Sequence, residues 1–428
     1  MSPGPGAVEL IRAKREGHQL PAAQIEALMA GYLGGEVGDE QMAAFLMAVC
    51  WRGMSPDELS AWMSAMLASG SRLDLTQVGR PTVDKHSTGG VGDKVSLVLV
   101  PLVAACGAAV PQLSGRGLAH TGGTLDKMEV IPGWRADLGA DRIVGQLREV
   151  GGVICAASPE LAPADRRLYA LRDVTGTVES IPLIASSIMC KKVAEGTEAL
   201  LLDVKVGAGA FMRDARSARE LARVMVRLGA DHGVRTSAWL TAMDAPLGRA
   251  VGNGPELEES LQLLRGDGPP DLRELVLAEA QEMLRLAGVA ADPESALRQG
   301  RAAEVFARMV AAQGGDLEQE RPRGQVLAEV RSPAAGFLWR LDALAVGTAC
   351  WRLGAGRARQ QDQVSPTAGI ICLAKPGDRL ERGQPVLQIL GEEPERLAAA
   401  QEALSGAIEV RSTAPPPRPL ILERIPAA

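Results

Sequence analysis

Two segments of the chain combine glycines with hydroxyl and cationic side chains, and each lies between a short apolar run and a longer helix-compatible stretch. The first runs from residue 83 to 94 and the second from residue 113 to 127. Free backbone N–H groups in such a turn, together with the N-terminus of a following helix, favour an anion. Neither segment matches the P-loop or the dinucleotide-binding pattern. We therefore expect a different anion site, with a phosphate or phosphoribosyl group as its ligand.

The two glycine-rich segments support each other, because adjacent parallel strands present their carboxyl-end loops to one crevice. Two such loops can then share one anion. Lys85 could supply positive charge, and hydroxyl donors are available at Ser87, Ser96, Ser114 and Thr124. The alternative for either loop alone is a tight strand-to-helix turn with a purely structural role.

A third segment, between residues 165 and 192, carries polar groups at helical spacing. Tyr169 and Arg172 are three positions apart, and Ser187 and Lys191 are four apart, so each pair lies on one helical face. Such a face could hold a planar polar ligand, with Arg and Lys on carbonyl oxygens and Ser on a ring N–H. The alternative is a solvated face with ordinary ion pairs.

Composition disfavours several other classes of function. The 428 residues carry 46 Lys and Arg against 52 Asp and Glu, a formal charge of −6, which argues against a nucleic acid as partner. The four histidines form no HExxH pattern, and the six cysteines are far apart without a CxxC pair. We therefore expect reduced buried thiols, with neither disulfides nor a zinc site.

Residues 95–111 form the longest apolar stretch and could suggest a membrane span. A span needs about 20 apolar residues, and Ser96, Pro101 and Gly107 interrupt this shorter stretch. It predicts a fully buried helix followed by a core strand. The N-terminus shows no basic-then-apolar leader, so we expect a cytoplasmic protein without membrane contact.

Hydrophobic periodicity predicts a multidomain α/β and α+β protein. Residues 8–69 have helical spacing, whereas after residue 70 short β-branched runs alternate with helical stretches, which is typical of a parallel sheet covered by helices. Helix-compatible residues return at 169–195, so the helical unit is expected to consist of two separated pieces. Beyond residue 325, short alternating strands and Pro-Gly-Asp and Arg-Gly-Gln turns predict a β-rich domain.

Three domains follow from this pattern. We predict an all-helical domain at 1–69 plus 163–194, an α/β phosphate-binding domain at 70–162 plus 195–325, and a C-terminal α+β domain at 326–428. The turns of the last domain resemble the hammerhead of lipoyl and biotinyl carriers. No Met-Lys pair is present, so we expect that fold without a swinging arm.

Five segments together resemble those of a known family. In chain order they are KHSTGGVG at 85–92, SGRGLAHTGGTLDKME at 114–129, LYALRDVT at 168–175, IASSIM at 184–189 and DVKVGAGAF at 203–211. They are similar to the motifs of the thymidine and pyrimidine-nucleoside phosphorylases, and the resemblance covers essentially the whole chain. The β-rich tail distinguishes the chain from the related anthranilate phosphoribosyltransferases, which lack that domain.

The resemblance implies a pentosyltransferase of pyrimidine metabolism. In its reaction, inorganic phosphate displaces the base of uridine, thymidine or deoxyuridine and gives a (deoxy)ribose 1-phosphate, without an organic cofactor. It also implies a homodimer formed through the helical domain, which carries base-binding residues, and an active site in the cleft between the helical and α/β domains.

Carried over residue by residue, the resemblance gives each candidate a role. The implied phosphate ligands are Lys85, Ser87, Ser96, Ser114 and Thr124. The implied base ligands are His86, Tyr169, Arg172, Ser187 and Lys191, of which His86, Arg172 and Lys191 are the expected catalytic residues. Since negative charge develops on the departing pyrimidine, donors and cations at its carbonyl oxygens would stabilise the transition state. An imidazole of ordinary pKa at His86 could hydrogen-bond or protonate the base.

Two positions depart from the family's pattern. Position 112, usually Lys in broad-specificity members and often Met in thymidine-selective ones, is Gln112, although residues 179–189 resemble the broad-specificity branch. A potassium site described in some members maps to Gly92, position 94, Leu247, Ala250 and Glu259. Position 94 is Lys94 where a small hydroxyl residue often stands, so its ammonium could replace the cation and pair with Glu259.

Three alternatives stay open beside broad pyrimidine specificity. The first is a thymidine phosphorylase restricted to 2′-deoxynucleosides. The second is a phosphoribosyltransferase, which would need a divalent metal and a pyrophosphorylated sugar. The third is a relative that binds pyrimidines without turnover, against which the intact Lys85, His86, Arg172 and Lys191 argue.

Overall fold

The structure is a computed structural model that describes residues 5–117, 120, 122–357, 359 and 362–427. Three residues of the second glycine-rich loop, Leu118, Ala119 and Thr121, lie outside the described residues. Residues 1–4 of the N-terminal tail lie outside them as well.

Helices and strands alternate through the middle of the chain and give way to a strand-rich tail. The helices are α1 Ala7–Arg15, α2 Ala22–Gly34, α3 Asp39–Arg52, α4 Pro56–Ala68, α5 Val95–Ala105, α6 Thr124–Met128, α7 Ala140–Glu149, α8 Pro163–Thr175, α9 Ile181–Ala194, α10 Ala215–Asp231, α11 Asn253–Leu264, α12 Pro270–Ala287, α13 Pro293–Arg298, α14 Arg301–Ala312, α15 Ala343–Cys350 and α16 Leu397–Ala403. The strands are β1 Val83–Ser87, β2 Val110–Ser114, β3 Gly152–Ala156, β4 Ala199–Val206, β5 Arg235–Ala242, β6 Ala250–Val251, β7 Gln325–Arg331, β8 Gly336–Leu341, β9 Gly369–Cys372, β10 Arg379–Leu380, β11 Pro385–Gly391, β12 Ile408–Arg411 and β13 Ile421–Ile425. The predicted combination of a helical part, a parallel α/β part and a β-rich α+β tail is confirmed.

The helical part is formed by α1–α4 together with α8 and α9 from later in the chain. Buried Phe45 and Trp62 stack with ring centroids 5.7 Å apart. Leu168 of α8 and Met189 of α9 belong to the same buried apolar cluster. The two later helices are therefore packed on the first four by the hydrophobic effect.

The central sheet has β1 in its middle. Strands β1, β4 and β5 pair in parallel in that order, and β2 and β3 form a second parallel pair. A parallel bridge between Thr82 and Ala109 joins β2 to β1, which gives the order β3-β2-β1-β4-β5. After β1 the chain continues to β2 on one side of this strand, and it later returns to β4 on the other side. Ligands of such sheets bind outside the carboxyl ends of the strands at this reversal.

Helix α5 and strand β2 occupy the long apolar stretch, as predicted. Ten successive side chains of α5, from Val95 to Ala104, are buried, and the apolar ones from Leu97 to Val100 belong to the main core. None of the helices in the described part of the chain is both long and apolar enough to cross a membrane.

The tail forms two antiparallel sheets, with strand orders β10-β8-β12 and β6-β9-β11-β7. It is interleaved with the α/β part in two places. Strand β6, which precedes α11, pairs with β9 of the tail, and β13 pairs antiparallel with β5 of the central sheet. The predicted unit at 326–428 thus contributes its last strand to the sheet of the preceding domain.

Candidate active site

The first glycine-rich loop follows β1 and leads into α5. The hydroxyl of Ser87 donates a hydrogen bond to the carboxylate of Asp93 and accepts the N–H of Gly89 at 3.1 Å. Gly89 and Gly92 have φ angles of 91° and 74°, a region that favours glycine. A Cβ on Gly92 would lie 2.5 Å from the carbonyl oxygen of Leu247, so this backbone is tightly packed from behind.

The second glycine-rich loop connects β2 to α6. Ser114 ends the strand and Thr124 begins the helix, and both are half-buried. The N–H of Leu125 reaches the carbonyl oxygen of Gly115 at 3.5 Å, which holds the two ends of the loop together. Ser96 lies in the first turn of α5 and is buried. These are three of the four hydroxyl groups that the sequence predicts for the anion, and the fourth, Ser87, lies at the end of β1.

The side chains of β1 alternate between two buried charge clusters. Lys85 is fully buried, and its Nζ lies 3.3 Å from Asp203 Oδ2 and 3.6 Å from Glu279 Oε2. Lys205 Nζ contacts the same Asp203 oxygen at 2.6 Å. The ammonium of Lys85 therefore lies among carboxylates on the α12 side of β1, and the charge of Asp93 in the loop also acts on it.

The protonation of this first cluster follows from its burial. Burial raises the pKa of Glu279 well above its usual range, although the ammonium groups of Lys85 and Lys205 act in the opposite direction. Burial acts in the same direction on Asp93 and Asp203, but the ammonium groups of Lys205 and Lys85 hold both pKa values below their usual range. The ammonium groups of Lys85 and Lys205 thus offset the charges of Asp93 and Asp203, and the raised pKa of Glu279 opposes a third buried negative charge.

The second cluster lies on the α9 side of β1. Lys192 Nζ bonds Asp84 Oδ2 at 2.6 Å, Glu195 Oε1 at 2.8 Å and the carbonyl oxygen of Leu113 at 3.0 Å. Burial raises the pKa of Glu195 well above its usual range, and the interaction with Asp84 raises it further. Lys192 thereby fixes α9 to β1 and to the residue before Ser114.

His86 faces the α9 side of β1. Burial, together with the ammonium groups of Lys192 and Lys191, lowers its pKa well below the usual range. The expectation of an ordinary imidazole pKa at this position is therefore wrong. At neutral pH His86 is uncharged and can donate one N–H, but it is not a resting acid.

The polar face predicted on α8 and α9 is assembled in the structure. Lys191 Nζ bonds Asp165 Oδ2 at 2.7 Å and Ser187 Oγ at 3.3 Å. Although burial lowers it, the Asp165 carboxylate leaves the pKa of Lys191 raised, so the ammonium stays charged. Tyr169 is 37% exposed and within electrostatic range of Lys191 and Arg172.

The guanidinium of Arg172 points toward the backbone of the helical part. Its guanidinium donates to the carbonyl oxygens of Thr177 at 3.2 Å, Val178 at 2.7 Å and Leu183 at 2.9 Å. The side chain is buried, and these bonds use three of its five N–H groups. Arg172 thus shapes the connection between α8 and α9, and its remaining N–H groups are the ones available for a ligand.

The position of Lys94 bears on the implied potassium site. Its Nζ bonds Glu259 Oε2 at 2.7 Å and the carbonyl oxygen of Leu247 at 2.9 Å, and the side chain is fully buried. Although burial lowers it, the Glu259 carboxylate leaves the pKa of Lys94 raised. A Cβ on Gly248 would lie 2.8 Å from this ammonium. The ammonium therefore occupies the space bounded by these groups.

Sequence reasoning did not identify several groups that organise the site. Asp165 bonds Lys191, Lys192 acts electrostatically on His86, and Glu279 lies 3.6 Å from Lys85. For Lys192, its place beside Lys191 was the available signal. Glu279 lies in an ordinary amphipathic helix, so no local pattern indicates it.

Family models match three parts of the chain. Residues 8–70 match the helical bundle domain of a glycosyl transferase family, and residues 79–307 match the α/β domain of that family. Residues 337–411 match the C-terminal domain of pyrimidine nucleoside phosphorylase.

Individual relatives agree with these matches. The chain is 55% identical over 420 residues to a thymidine phosphorylase of Mycobacterium tuberculosis, covering 98% of both chains. It is 40% identical over 430 residues to a pyrimidine-nucleoside phosphorylase of Geobacillus stearothermophilus, covering 98% of this chain and 99% of the relative. An anthranilate phosphoribosyltransferase structure from Thermus thermophilus, at 22% identity, shares the fold over 71% of this chain and 99% of its own, with a TM-score of 0.58. The chain belongs to the family of the thymidine and pyrimidine-nucleoside phosphorylases.

Proposed function

We propose that this protein cleaves pyrimidine nucleosides with inorganic phosphate, giving the free base and a (deoxy)ribose 1-phosphate. The observation that carries the proposal is the alternation along β1. Ser87 contacts the glycine-rich loop, while His86 lies within electrostatic range of Lys192 and Lys191 of the helical part. One strand thereby borders a phosphate subsite and a base subsite. The names of the two relatives above support the same reaction.

The phosphate subsite consists of the hydroxyls of Ser87, Ser96, Ser114 and Thr124 with the N–H groups of the first loop. Lys85 lies behind this loop as an ammonium whose pKa the neighbouring carboxylates raise although burial lowers it. The positive charge of Lys85 acts on a bound phosphate dianion from behind the loop. Direct contact between Lys85 and the phosphate requires the ammonium to move away from Asp203.

The base subsite consists of Tyr169, Arg172, Ser187 and Lys191 with His86. Lys191 is held by Asp165 and Ser187, so it is oriented before substrate arrives. As a phosphate oxygen bonds C1′, the electron pair of the C1′–N1 bond passes to the pyrimidine. Lys191, Arg172 and the N–H of His86 stabilise the charge that develops on the ring, and solvent supplies the final proton.

The reaction itself is tested by incubating the protein with thymidine, deoxyuridine and uridine in turn, with and without phosphate. We expect phosphate-dependent release of base from all three, because residues 179–189 resemble the broad-specificity branch. The quantity measured is free base together with sugar 1-phosphate. Release from the deoxynucleosides alone would make it a thymidine phosphorylase. Absence of release from all three would contradict the proposed reaction.

His86 is expected to act as a neutral hydrogen-bond donor. Because its pKa is lowered, kcat should not rise as the pH falls through about 6.5, where an ordinary histidine gains its proton. His86→Gln keeps an N–H donor and should lose about 10-fold in kcat, whereas His86→Leu should lose about 100- to 1000-fold. A kcat that increases toward acid with an apparent pKa near 6.5 would show instead that an imidazolium protonates the base.

We further propose that Lys94 replaces a bound potassium ion in this chain. It pairs with Glu259 and the Leu247 carbonyl group, at positions to which the resemblance maps a cation. A covalently attached ammonium supplies the positive charge there, so no free ion is required to hold Gly92 against residues 247–250.

The exchange of cations tests the role of Lys94. Activity should be the same within about twofold in potassium, sodium or choline chloride. Lys94→Thr leaves the buried Glu259 carboxylate without its partner, which is strongly unfavourable, so this variant should require potassium for stability and activity. Melting temperature and kcat in each salt are the measurements. Strong potassium activation of the unaltered protein would disprove the replacement.

A homodimer is proposed through the exposed apolar face of α1 and α3. Trp51 is 81% exposed, Val8 48% and Met47 38%, and a groove of about 620 Å³ beside them is lined by Ile11 and Ala44 among others. Contiguous apolar patches of this kind mark association surfaces. A second copy of the chain would remove these side chains from water.

Sedimentation velocity tests the homodimer. The unaltered protein is expected to sediment as a dimer and Trp51→Glu as a monomer, because a carboxylate cannot be buried in an apolar interface without a partner. Val326→Glu, at a 54% exposed position on β7, is the matched control and should leave the dimer intact. A monomeric unaltered protein, or equal effects of both variants, would contradict this interface.

A further inference from the structure

An arginine of the tail reaches into the second glycine-rich loop. Arg357 follows α15, is 7% exposed, and places Nη1 2.5 Å from Asp126 Oδ1 of α6. Its Nε donates to the carbonyl oxygen of Asp362 at 2.9 Å. The guanidinium therefore connects the tail segment to the helix that closes the loop.

Asp126 uses its other oxygen on the loop backbone. Asp126 Oδ2 accepts the N–H of Gly117 at 2.6 Å. A Cβ on Gly123 would lie 2.1 Å from the Gly117 nitrogen, so the two limbs of the loop are in direct contact. Arg116 is 3.8 Å from Asp126 and bonds Glu129 instead. Among the described residues, Arg357 is thus the cation that is hydrogen-bonded to this carboxylate.

The tail around Arg357 is itself anchored. Asn253 Nδ2 donates to the carbonyl oxygens of Ala355 at 3.0 Å and Ser365 at 3.2 Å, on either side of the arginine in sequence. A Cβ on Gly347 of α15 would lie 2.7 Å from Val91 Cγ2 and 2.9 Å from the carbonyl oxygen of His120. The tail is therefore packed against both glycine-rich loops and has little room to shift.

We propose that Arg357 is a positioning residue for the phosphate subsite, a role that rests on the proposed function. Through Asp126 it fixes Gly117, and with it the spacing between Ser114 and Thr124 at the two ends of the loop. A buried ion pair is weak evidence for stability, because apolar side chains of similar volume often stabilise a protein as much. A guanidinium whose Nη1 and Nε bond two separate groups gives directional restraint, which suits a loop that must hold hydroxyls around an anion.

The test is a comparison of KM for phosphate, KM for nucleoside and kcat. Arg357→Gln is expected to raise KM for phosphate about 10- to 100-fold, the range for a site displaced by about 1 Å, with KM for nucleoside unchanged within about twofold. Arg357→Lys should recover part of the loss. Asp126→Asn should resemble Arg357→Gln, and the double variant should be no worse than either, since both remove one interaction. Arg396→Gln, which removes an exposed ion pair with Glu393 in the same tail, is the control.

The outcomes separate the positioning role from the phosphate subsite itself. An unchanged KM for phosphate in Arg357→Gln, or equal increases in both KM values, would overturn the role of Arg357 while Ser114→Ala still raises KM for phosphate. If Ser114→Ala also leaves that KM unchanged, the phosphate subsite is misplaced and the role of Arg357 fails with it. Should Arg357→Gln not fold, Arg357→Lys and Asp126→Asn provide the same comparison.

Discussion

Strand β1 places charged side chains in the middle of the central sheet. These buried charges must be balanced where they lie, and the positions of the surrounding elements follow from that requirement. Asp84 and Lys85 are adjacent and fully buried, and they point to opposite sides of the strand. Asp84 is matched by Lys192 of α9, and Lys85 by Asp203 of β4 beside Glu279 of α12. On each side burial raises the pKa of one glutamic acid, Glu195 or Glu279, well above its usual range, which opposes a further buried charge. Helix α9 of the helical part and helix α12 of the α/β part are thereby fixed to β1. The next two residues of this strand, His86 and Ser87, border the proposed base and phosphate subsites.

The sequence predicts the elements of the fold well where one physical signal decides them. Glycine-rich turns after β-branched runs indicate the loops at 88–94 and 115–123, and the long apolar stretch indicates α5. The polar face of α8 and α9 follows from helical spacing alone, which brings Ser187 and Lys191 together.

What the sequence could not indicate depends on burial and on partners far away in the chain. The pKa of His86 is lowered by burial and by Lys192 and Lys191 of α9. No spacing within residues 83–94 indicates these distant partners. The guanidinium of Arg172 bonds mainly backbone carbonyl oxygens. These bonds depend on the path of the chain between α8 and α9. Strand β13 contains only five residues and lies beyond a whole tail domain, so its pairing with β5 is a tertiary property.

That pairing also has a consequence for the order in which the protein is made. Strand β5 pairs with β4 on one side and, in the part of the chain that the structure describes, with β13 on the other. During synthesis the central sheet can form up to β5 before the tail is translated. While the tail is being translated, the outer edge of β5 is unpaired. Open edges of sheets are sites of wrong pairing between chains, so this interval is the one in which a ribosome-bound chain is most exposed to aggregation. Pairing with β13 covers this edge of β5 and ends that interval.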